Sequence, residues 1–198
     1  MEYYQGRSVK IDIWEAVLEA AEAFRGEKPD FILFFSDGRR FAAISQAMHE
    51  LFPHTAVVGC STHASFSHSG ICMRGINLLA LQGLQVSAGH IDEISRYPLK
   101  YKEAVARAAR NLAGLELRED NTCCFLVNPA GTGSEELVLD TLAEGLKGLD
   151  IPVFGGSASS EERVSGAVSL NGSVYTDSSV FVLLHISKGH IHVAQDHL

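Results

Sequence analysis

Two short segments rich in glycine and serine carry the residue types best suited to holding a small ligand. The first, at 57–62, reads Val-Val-Gly-Cys-Ser-Thr, and the second, at 153–158, reads Val-Phe-Gly-Gly-Ser-Ala. Gly155 follows Gly59 by 96 positions, and a Ser-Gly pair follows each segment at the same interval. Glycine lets backbone N–H groups approach a ligand closely, and hydroxyl groups add hydrogen bonds. The two segments therefore indicate an internal duplication and a binding site for a small polar molecule.

A third loop, at 128–134, has a feature suited to an anion. Gly131-Thr132-Gly133 precedes a predicted helix that begins at Ser134, and the first N–H groups of a helix are free to bind a carboxylate. Ligands of α/β sheets bind beyond the carboxyl ends of the strands, so we expect these loops to form one site. The predicted ligand-binding residues are Gly59, Cys60, Ser61, Thr62, Asn128, Gly131, Thr132, Gly155, Gly156 and Ser157.

A catalytic interpretation of the same loops is the main alternative. Cys60 lies close to His63 in the sequence, and a neighbouring histidine activates a thiol as a nucleophile. The residue equivalent to Cys60 in the second segment is Gly156, which favours a small residue in a tight loop over a nucleophile. Ser61 and Ser157 both lack the GxSxG pattern of a nucleophilic serine. We therefore expect no enzymatic activity and no catalytic residue, with a Cys- or Ser-dependent hydrolase or transferase as the alternative.

The cysteines and histidines do not indicate a metal or cofactor site. The four cysteines lack the paired spacing of a zinc site, and the adjacent Cys123 and Cys124 would point to opposite faces of a strand. We interpret all four as reduced, buried thiols. His190 and His192 would share one face of a predicted strand, but a metal needs three or four convergent ligands. We expect no metal and no cofactor.

The composition is typical of a folded globular chain and narrows the range of partners. The 198 residues are 46% hydrophobic and 20% charged, and the formal net charge is −8. An acidic chain lacks the basic surface that binds nucleic acid. No apolar run reaches the roughly 18–20 residues that a membrane-spanning helix needs, and the start does not resemble a secretory signal. We therefore expect a cytoplasmic protein that binds neither nucleic acid nor membrane.

Apolar periodicity and turn residues predict the helices and strands that position these loops. Helices are predicted at 11–25, 41–52, 99–115 and 134–147. Strands are predicted at 31–35, 56–58, 71–81, 84–90, 123–127, 152–154, 180–186 and 191–194, with a hairpin at Asn171-Gly172. In the first helix, the predicted buried stripe is Ile11, Trp14, Leu18, Ala21 and Phe24. The strands at 71–81 and 84–90 are predicted to form an antiparallel pair.

The order helix, strand, helix, strand, strand, strand occurs twice in this prediction. The two pseudo-repeats cover about 8–95 and 97–195 of a single domain. The predicted fold class is therefore α/β and internally duplicated, with mixed β-sheets covered by helices.

At these same residues the chain resembles the N-terminal FIST domain, a family named for F-box and intracellular signal transduction proteins. The resemblance spans nearly the whole chain, from about Ser8 to Ala194. In place of the Ala-Gly-Glu-like turn of the family, this chain has His-Ala-Ser-Phe at 63–66. The matching segments are 31–36, 57–62, Gly70 before a long strand, 153–158 and 171–174.

The resemblance implies a sensory domain in intracellular signal transduction that binds small ligands, amino acids or small carboxylates among them. It also implies a partner, because such domains usually precede a C-terminal FIST domain and often accompany signalling modules. A second alternative follows from that implication: a purely structural half that docks a C-terminal FIST domain. This alternative predicts a large exposed apolar patch on the final strands.

Overall fold

The structure is a computed structural model that describes residues 1–67, 70–159 and 166–192. A short 3₁₀ helix, Glu22–Phe24, follows the first α-helix, and another, Pro98–Tyr101, precedes the third. The α-helices are α1 (Ile13–Ala21), α2 (Phe41–Leu51), α3 (Lys102–Asn111) and α4 (Glu135–Gly145). The strands are β1 (Glu2–Ser8), β2 (Phe31–Ser36), β3 (Ala56–Ser61), β4 (Ser65–Ser67), β5 (Gly70–Cys72), β6 (Ile76–Gln82), β7 (Gln85–Asp92), β8 (Thr122–Asn128), β9 (Val153–Ser157), β10 (Val168–Leu170), β11 (Ser173–Tyr175) and β12 (Ser178–His185).

The larger strands form two mixed sheets, which confirms the predicted class. The first sheet has the order β1-β6-β2-β3-β10-β11, and the second has the order β7-β12-β8-β9. In each sheet one pair of strands is parallel, β2 with β3 and β8 with β9. The strands β4 and β5 pair only with each other and form a separate hairpin in the described part of the chain.

The elements stack in four layers, with a helical layer on the outside of each sheet. α1 and α2 pack on the outer face of the six-stranded sheet, and α3 and α4 pack on the outer face of the four-stranded sheet. The inner faces of the two sheets contact each other. A central strand in such a stack buries both faces. In β2, Phe34 contacts the helices whereas Phe31 and Leu33 contact the other sheet, so its uninterrupted apolar sequence is explained.

The two sheets share a central arrangement of strands. β2 lies between parallel β3 and antiparallel β6, and β8 lies between parallel β9 and antiparallel β12. The same order of strands and helices runs from β1 to β6 and again from β7 to β12. Gly6 of β1 and Gly89 of β7 occupy matching register positions beside Leu78 and Phe181. A duplication of the chain stays a prediction, and this order favours a division near Gly83.

The predicted antiparallel pair at 71–81 and 84–90 is wrong. The first segment is broken between β5 and β6, and Gly75 has a φ of +136° that other residues rarely adopt. β6 and β7 then lie in different sheets, because the chain crosses from one to the other at Gly83. The Asp30 carboxylate fixes this crossing by accepting hydrogen bonds from the N–H groups of Gly83 and Leu84, at 2.7 and 3.0 Å.

The buried face of α1 also differs from the predicted one. Ile11, Trp14 and Leu18 are exposed, at 89%, 45% and 52% of their surface. The side chains that face the sheet are small, and Ala20 is among them. The reason is close approach: a Cβ at Gly6 of β1 would overlap the Ala20 carbonyl oxygen. A helix this close to a strand accommodates only small residues at the contact.

The two ends of the chain depart from the prediction in different ways. β1 was not predicted, because an edge strand with an alternating polar sequence gives a weak signal. Of the predicted strand at 191–194, residues 191 and 192 are not in a strand, and 193–194 lie outside the described residues. β12 is buried at all eight positions, so the apolar patch expected on the final strands is not found on this strand.

Ser61, the last residue of β3, holds the first half of the chain against the second. Its N–H donates to the Ala167 carbonyl at 2.9 Å, and its carbonyl accepts from the Ser159 N–H at 2.9 Å. Its hydroxyl donates to the Ser159 carbonyl at 3.0 Å and accepts from the Ala167 N–H at 2.8 Å. Ser61 is only 1% exposed. Every hydrogen-bonding group of this residue therefore serves the junction between the halves.

Replacing Ser61 with alanine is expected to lower the free energy of unfolding by about 1–3 kcal/mol, because two backbone groups lose a partner. The matched control is Ser157→Ala, at the equivalent but exposed position in β9, where we expect a change within about 0.5 kcal/mol. Urea denaturation followed by circular dichroism measures both. Equal losses in the two variants would contradict this role of Ser61.

Candidate functional site

The structure brings the carboxyl ends of four strands to one end of the stacked sheets. The parallel pairs place the end of β2 beside that of β3 and the end of β8 beside that of β9. The bonds between Ser61 and Ser159 join the end of β3 to the segment that follows β9. The first Gly-Ser segment therefore bonds, through Ser61, directly to Ser159, the residue that follows the second segment.

Gly59 and Cys60 are buried within the protein. A Cβ at Gly59 would overlap the Phe34 ring and the Ser169 hydroxyl, so packing alone explains the glycine. Cys60 is 4% exposed and lies in the core between the two sheets. Burial raises the pKa of the Cys60 thiol to about 12. A thiol with this pKa stays protonated at neutral pH and is a poor nucleophile.

Thr62 and Asn128 already have protein partners at the ends of their strands. The Thr62 N–H donates to the Ser36 carbonyl at 2.9 Å, and its hydroxyl donates to the Ala64 carbonyl at 2.7 Å. The Asn128 side-chain oxygen accepts from the Ser179 hydroxyl at 2.6 Å. These bonds shape the turn after β3 and the contact between β8 and β12.

The other predicted residues are mostly open to solvent. Gly131, Gly155, Gly156 and Ser157 are exposed, and a Cβ at Gly156 would meet nothing within 4 Å. Thr132 differs, because its hydroxyl is buried and has no hydrogen-bond partner in the described part of the chain. Ligand binding by the ten predicted residues stays a prediction.

A cavity of about 230 Å³ lies on the inner face of the six-stranded sheet, where β4 covers β1, β6 and β2. None of the ten predicted residues lines this cavity. The segment from Thr62 to Ser67 connects the two regions, because it leaves the end of β3 and becomes the β4 wall of the cavity. The residues that matter for its chemistry are Gln5, Arg7, Phe35, Phe66, Asn77 and Leu79.

Asn77 is the polar centre of this cavity. It lies directly between Arg7 of β1 and Phe35 of β2 in the sheet register. The residue is 5% exposed, its amide nitrogen donates to the Ser65 hydroxyl at 2.7 Å, and its amide oxygen has no partner among the described residues. A buried amide oxygen without a partner costs free energy that a hydrogen-bond donor would recover.

The walls around Asn77 combine apolar surface with one cation. Phe35 and Leu79 supply apolar surface from the sheet, and Phe66 supplies it from β4. The Arg7 guanidinium donates to the Ile71 carbonyl at 3.2 Å and so connects β1 to the hairpin. This arrangement suits a small molecule that has a hydrogen-bond donor, an anionic group and a short apolar part.

Sequence reasoning missed Asn77, although one signal was present. In the segment that becomes β6, Asn77 alternates with apolar residues on a strand that is apolar on both faces elsewhere. A buried amide in such a strand indicates a polar contact inside the core, because buried polar groups need hydrogen-bond partners.

His190 and His185, two histidines near the predicted final strands, each lie close to a polar group of the protein. His190 lies outside any strand, with its Nδ1 atom 3.4 Å from the Asp120 carboxylate. His185 is buried in β12, where its Nδ1 atom is 2.9 Å from the Thr122 hydroxyl, and burial lowers its pKa. Within residues 1–67, 70–159 and 166–192, no group of three or more His, Cys, Asp or Glu side chains is placed to hold a metal.

In those same ranges, no helix has the length and apolarity needed to cross a membrane.

Comparison with known families gives one match. A family model described as FIST N domain matches residues 30–197, which include β2, both Gly-Ser segments and most of the second half. No curated protein matches the chain.

Alkylation of Cys60 tests whether its loop is a nucleophilic site. A pKa of about 12 leaves on the order of 1,000-fold less thiolate at pH 8 than an ordinary thiol. Iodoacetamide should therefore modify Cys60 far more slowly than free cysteine, with the rate still rising above pH 9. Peptide mass spectrometry measures the modification, and labelling in urea is the control. Native Cys60 that reacts as fast as free cysteine would support the catalytic alternative.

Proposed function

Because this chain belongs to the FIST N domain family, we propose that it is the ligand-binding part of a cytoplasmic signal-transduction protein. FIST N domains are generally sensory domains of signal transduction. The ligand in this proposal is a small molecule, an amino acid or a small carboxylate, and it binds in the cavity at Asn77. A C-terminal FIST domain or another signalling module receives the signal.

The observation that carries the proposal is the buried, unpartnered oxygen of Asn77 in the cavity wall. Its apolar neighbours Phe35 and Leu79 offer no side-chain hydrogen bond, so a buried amide at this position is costly unless something completes its hydrogen bonds. An ammonium or amide N–H of a ligand is a suitable donor. The energy recovered at Asn77 then contributes to affinity.

The neighbours of Asn77 set the class of ligand. The Arg7 guanidinium, one strand away in the same register row, suits a carboxylate. Phe35 and Leu79 suit a short apolar side chain. The volume of about 230 Å³ is below the roughly 300–1,000 Å³ of sites for drug-sized ligands. A molecule of amino-acid size meets all three conditions.

A catalytic role has less support than binding. The Cys60 thiol is buried and its pKa is raised to about 12. The Ser61 hydroxyl is bonded to the backbone of Ser159 and Ala167. Neither candidate nucleophile of the first Gly-Ser segment is therefore available for attack on a substrate, and the proposal includes no chemical step.

Asn77→Leu tests the proposed site. A thermal-shift screen of amino acids and small carboxylates identifies compounds that raise the melting temperature of the unchanged protein, and calorimetry gives their dissociation constants. Leucine has a similar size but offers no hydrogen bond, so we expect affinity to fall at least about tenfold. Circular dichroism checks that the variant is folded.

The matched control is the double variant Thr132→Val and Ser157→Ala, which removes two hydroxyls from the predicted loop site. We expect it to keep the affinity of the unchanged protein. If the double variant loses binding and Asn77→Leu keeps it, the ligand lies at the strand ends and the cavity assignment is wrong. If no compound stabilises the unchanged protein, the sensory proposal itself fails.

A further inference from the structure

A second cavity, of about 370 Å³, follows the open edge of β7. β7 forms its floor, α3 forms one wall, and the β10–β11 hairpin lies on the other side. We call this feature the edge trough. It is lined by residues 88–90 and Asp92 of β7, by Tyr101 and one face of α3, and by Leu170 of β10. It lies in a different part of the molecule from Asn77, and nothing proposed for that residue depends on it.

The floor of the edge trough is an unpaired strand edge. β7 pairs with β12 along all eight residues, and no other strand in the described part of the chain pairs with it. On the free side of an edge strand, alternate residues direct both the N–H and the C=O group outward. The strand has no lysine or proline of the kind that usually blocks such an edge. The edge therefore presents a template for one more strand.

The walls of the edge trough are one face of α3 and the β10–β11 hairpin. Ala104, Arg107, Ala108 and Asn111 lie one or two turns apart on one face of α3. Because alanine side chains are short, Ala104 and Ala108 place no bulky group between this face of the helix and β7. On the opposite side, the Tyr175 ring of β11 stacks on His90 of β7 with a centroid distance of 5.0 Å. An exposed sheet edge is a recurring site for the addition of an extended peptide.

The charge of α3, one wall of the edge trough, is opposite in sign to that of the whole chain. α3 carries three basic residues and one acidic residue, whereas the chain has a formal net charge of −8. Arg107 is exposed and has no acidic partner in the part of the chain that the structure describes. The one carboxylate at the trough, Asp92, is held by the Ser178 hydroxyl at 2.7 Å and by His90 Nε2 at 3.3 Å. Arg107 is therefore available to a carboxylate from outside.

We propose that the edge trough binds an extended acidic peptide segment of another protein. The segment adds to β7 as a further strand, through backbone hydrogen bonds, and it places a carboxylate side chain against Arg107. The backbone bonds supply affinity with little dependence on sequence, and Arg107 selects for an acidic residue. A second copy of this acidic chain is a poorer occupant, because two such molecules repel each other.

A defined peptide serves as the probe. It is a fluorescein-labelled peptide amide of the sequence Thr-Val-Thr-Glu-Val-Thr-Val-Thr, and two matched peptides carry lysine for glutamate or N-methyl groups on alternate residues. Fluorescence anisotropy with the full chain measures binding. We expect saturable binding of the first peptide and at least about tenfold weaker binding of both others, since one loses the carboxylate and the other loses backbone donors.

Two variants of α3 test the residue assignment. Arg107→Glu should weaken binding of the glutamate peptide at least about tenfold and strengthen binding of the lysine peptide, because the charge preference is reversed. Arg110→Glu makes the same change of charge on the same helix outside the trough, and it should change either affinity by less than about threefold. Thermal unfolding of both variants confirms that they are folded.

Each of the following results would overturn the proposal. The first is no saturable binding of the glutamate peptide up to about 1 mM. The second is equal binding of the N-methylated peptide, which would mean charge attraction without strand addition. The third is an equal effect of the two arginine variants. The fourth is self-association in sedimentation that the peptide reverses, which would make a second copy the occupant.

Discussion

The hydrogen bonds of Ser61 join the end of β3 to the segment that follows β9 of the other sheet and to the segment that precedes β10 of its own sheet. Because the end of β3 is bonded to Ser159 and Ala167 of the second half, the two parallel strand pairs end at the same place. The chain then turns at Thr62 and returns as β4 across the inner face of the six-stranded sheet. The cavity at Asn77 exists because of that return. Ser61, a predicted ligand contact, thus holds the end of β3, from which the chain continues to the β4 wall of the cavity.

Asn77 is one of four residues, with Ser36, His49 and Thr132, that have a buried side-chain polar atom without a hydrogen-bond partner among the described residues. Of these four, Asn77 is the one that lines the cavity. The inner faces of the sheets bring apolar side chains together, and such a core gains stability from each apolar surface that leaves water. A buried amide oxygen without a hydrogen-bond partner reduces the gain in stability from this burial. Departures of this kind from simple burial are expected at functional or strained sites. We propose this cavity for the sensory function because of this cost and because the chain belongs to the FIST N domain family.

Much of the fold could be predicted from the sequence, whereas the cavity at Asn77 was not predicted. The apolar run of β2 and the Asn171-Gly172 turn were predicted correctly, because local composition determines both. The buried face of α1 was misassigned, since the close contact with Gly6 comes from a distant strand. The same limit applies to the site. Gly59 and Ser61 have the residue types of a binding loop, but only three-dimensional contacts reveal that they serve packing and the junction between the halves.

The most direct test follows the Asn77 side-chain amide in two-dimensional ¹H–¹⁵N NMR spectra while amino acids and small carboxylates are added. This signal is observed without any substitution, so a change of stability cannot imitate binding. The account predicts that the Asn77 signal moves and saturates with at least one compound. Ligand-induced shifts confined to the backbone signals of Thr132, Gly156 and Ser157, with Asn77 unmoved, would contradict it.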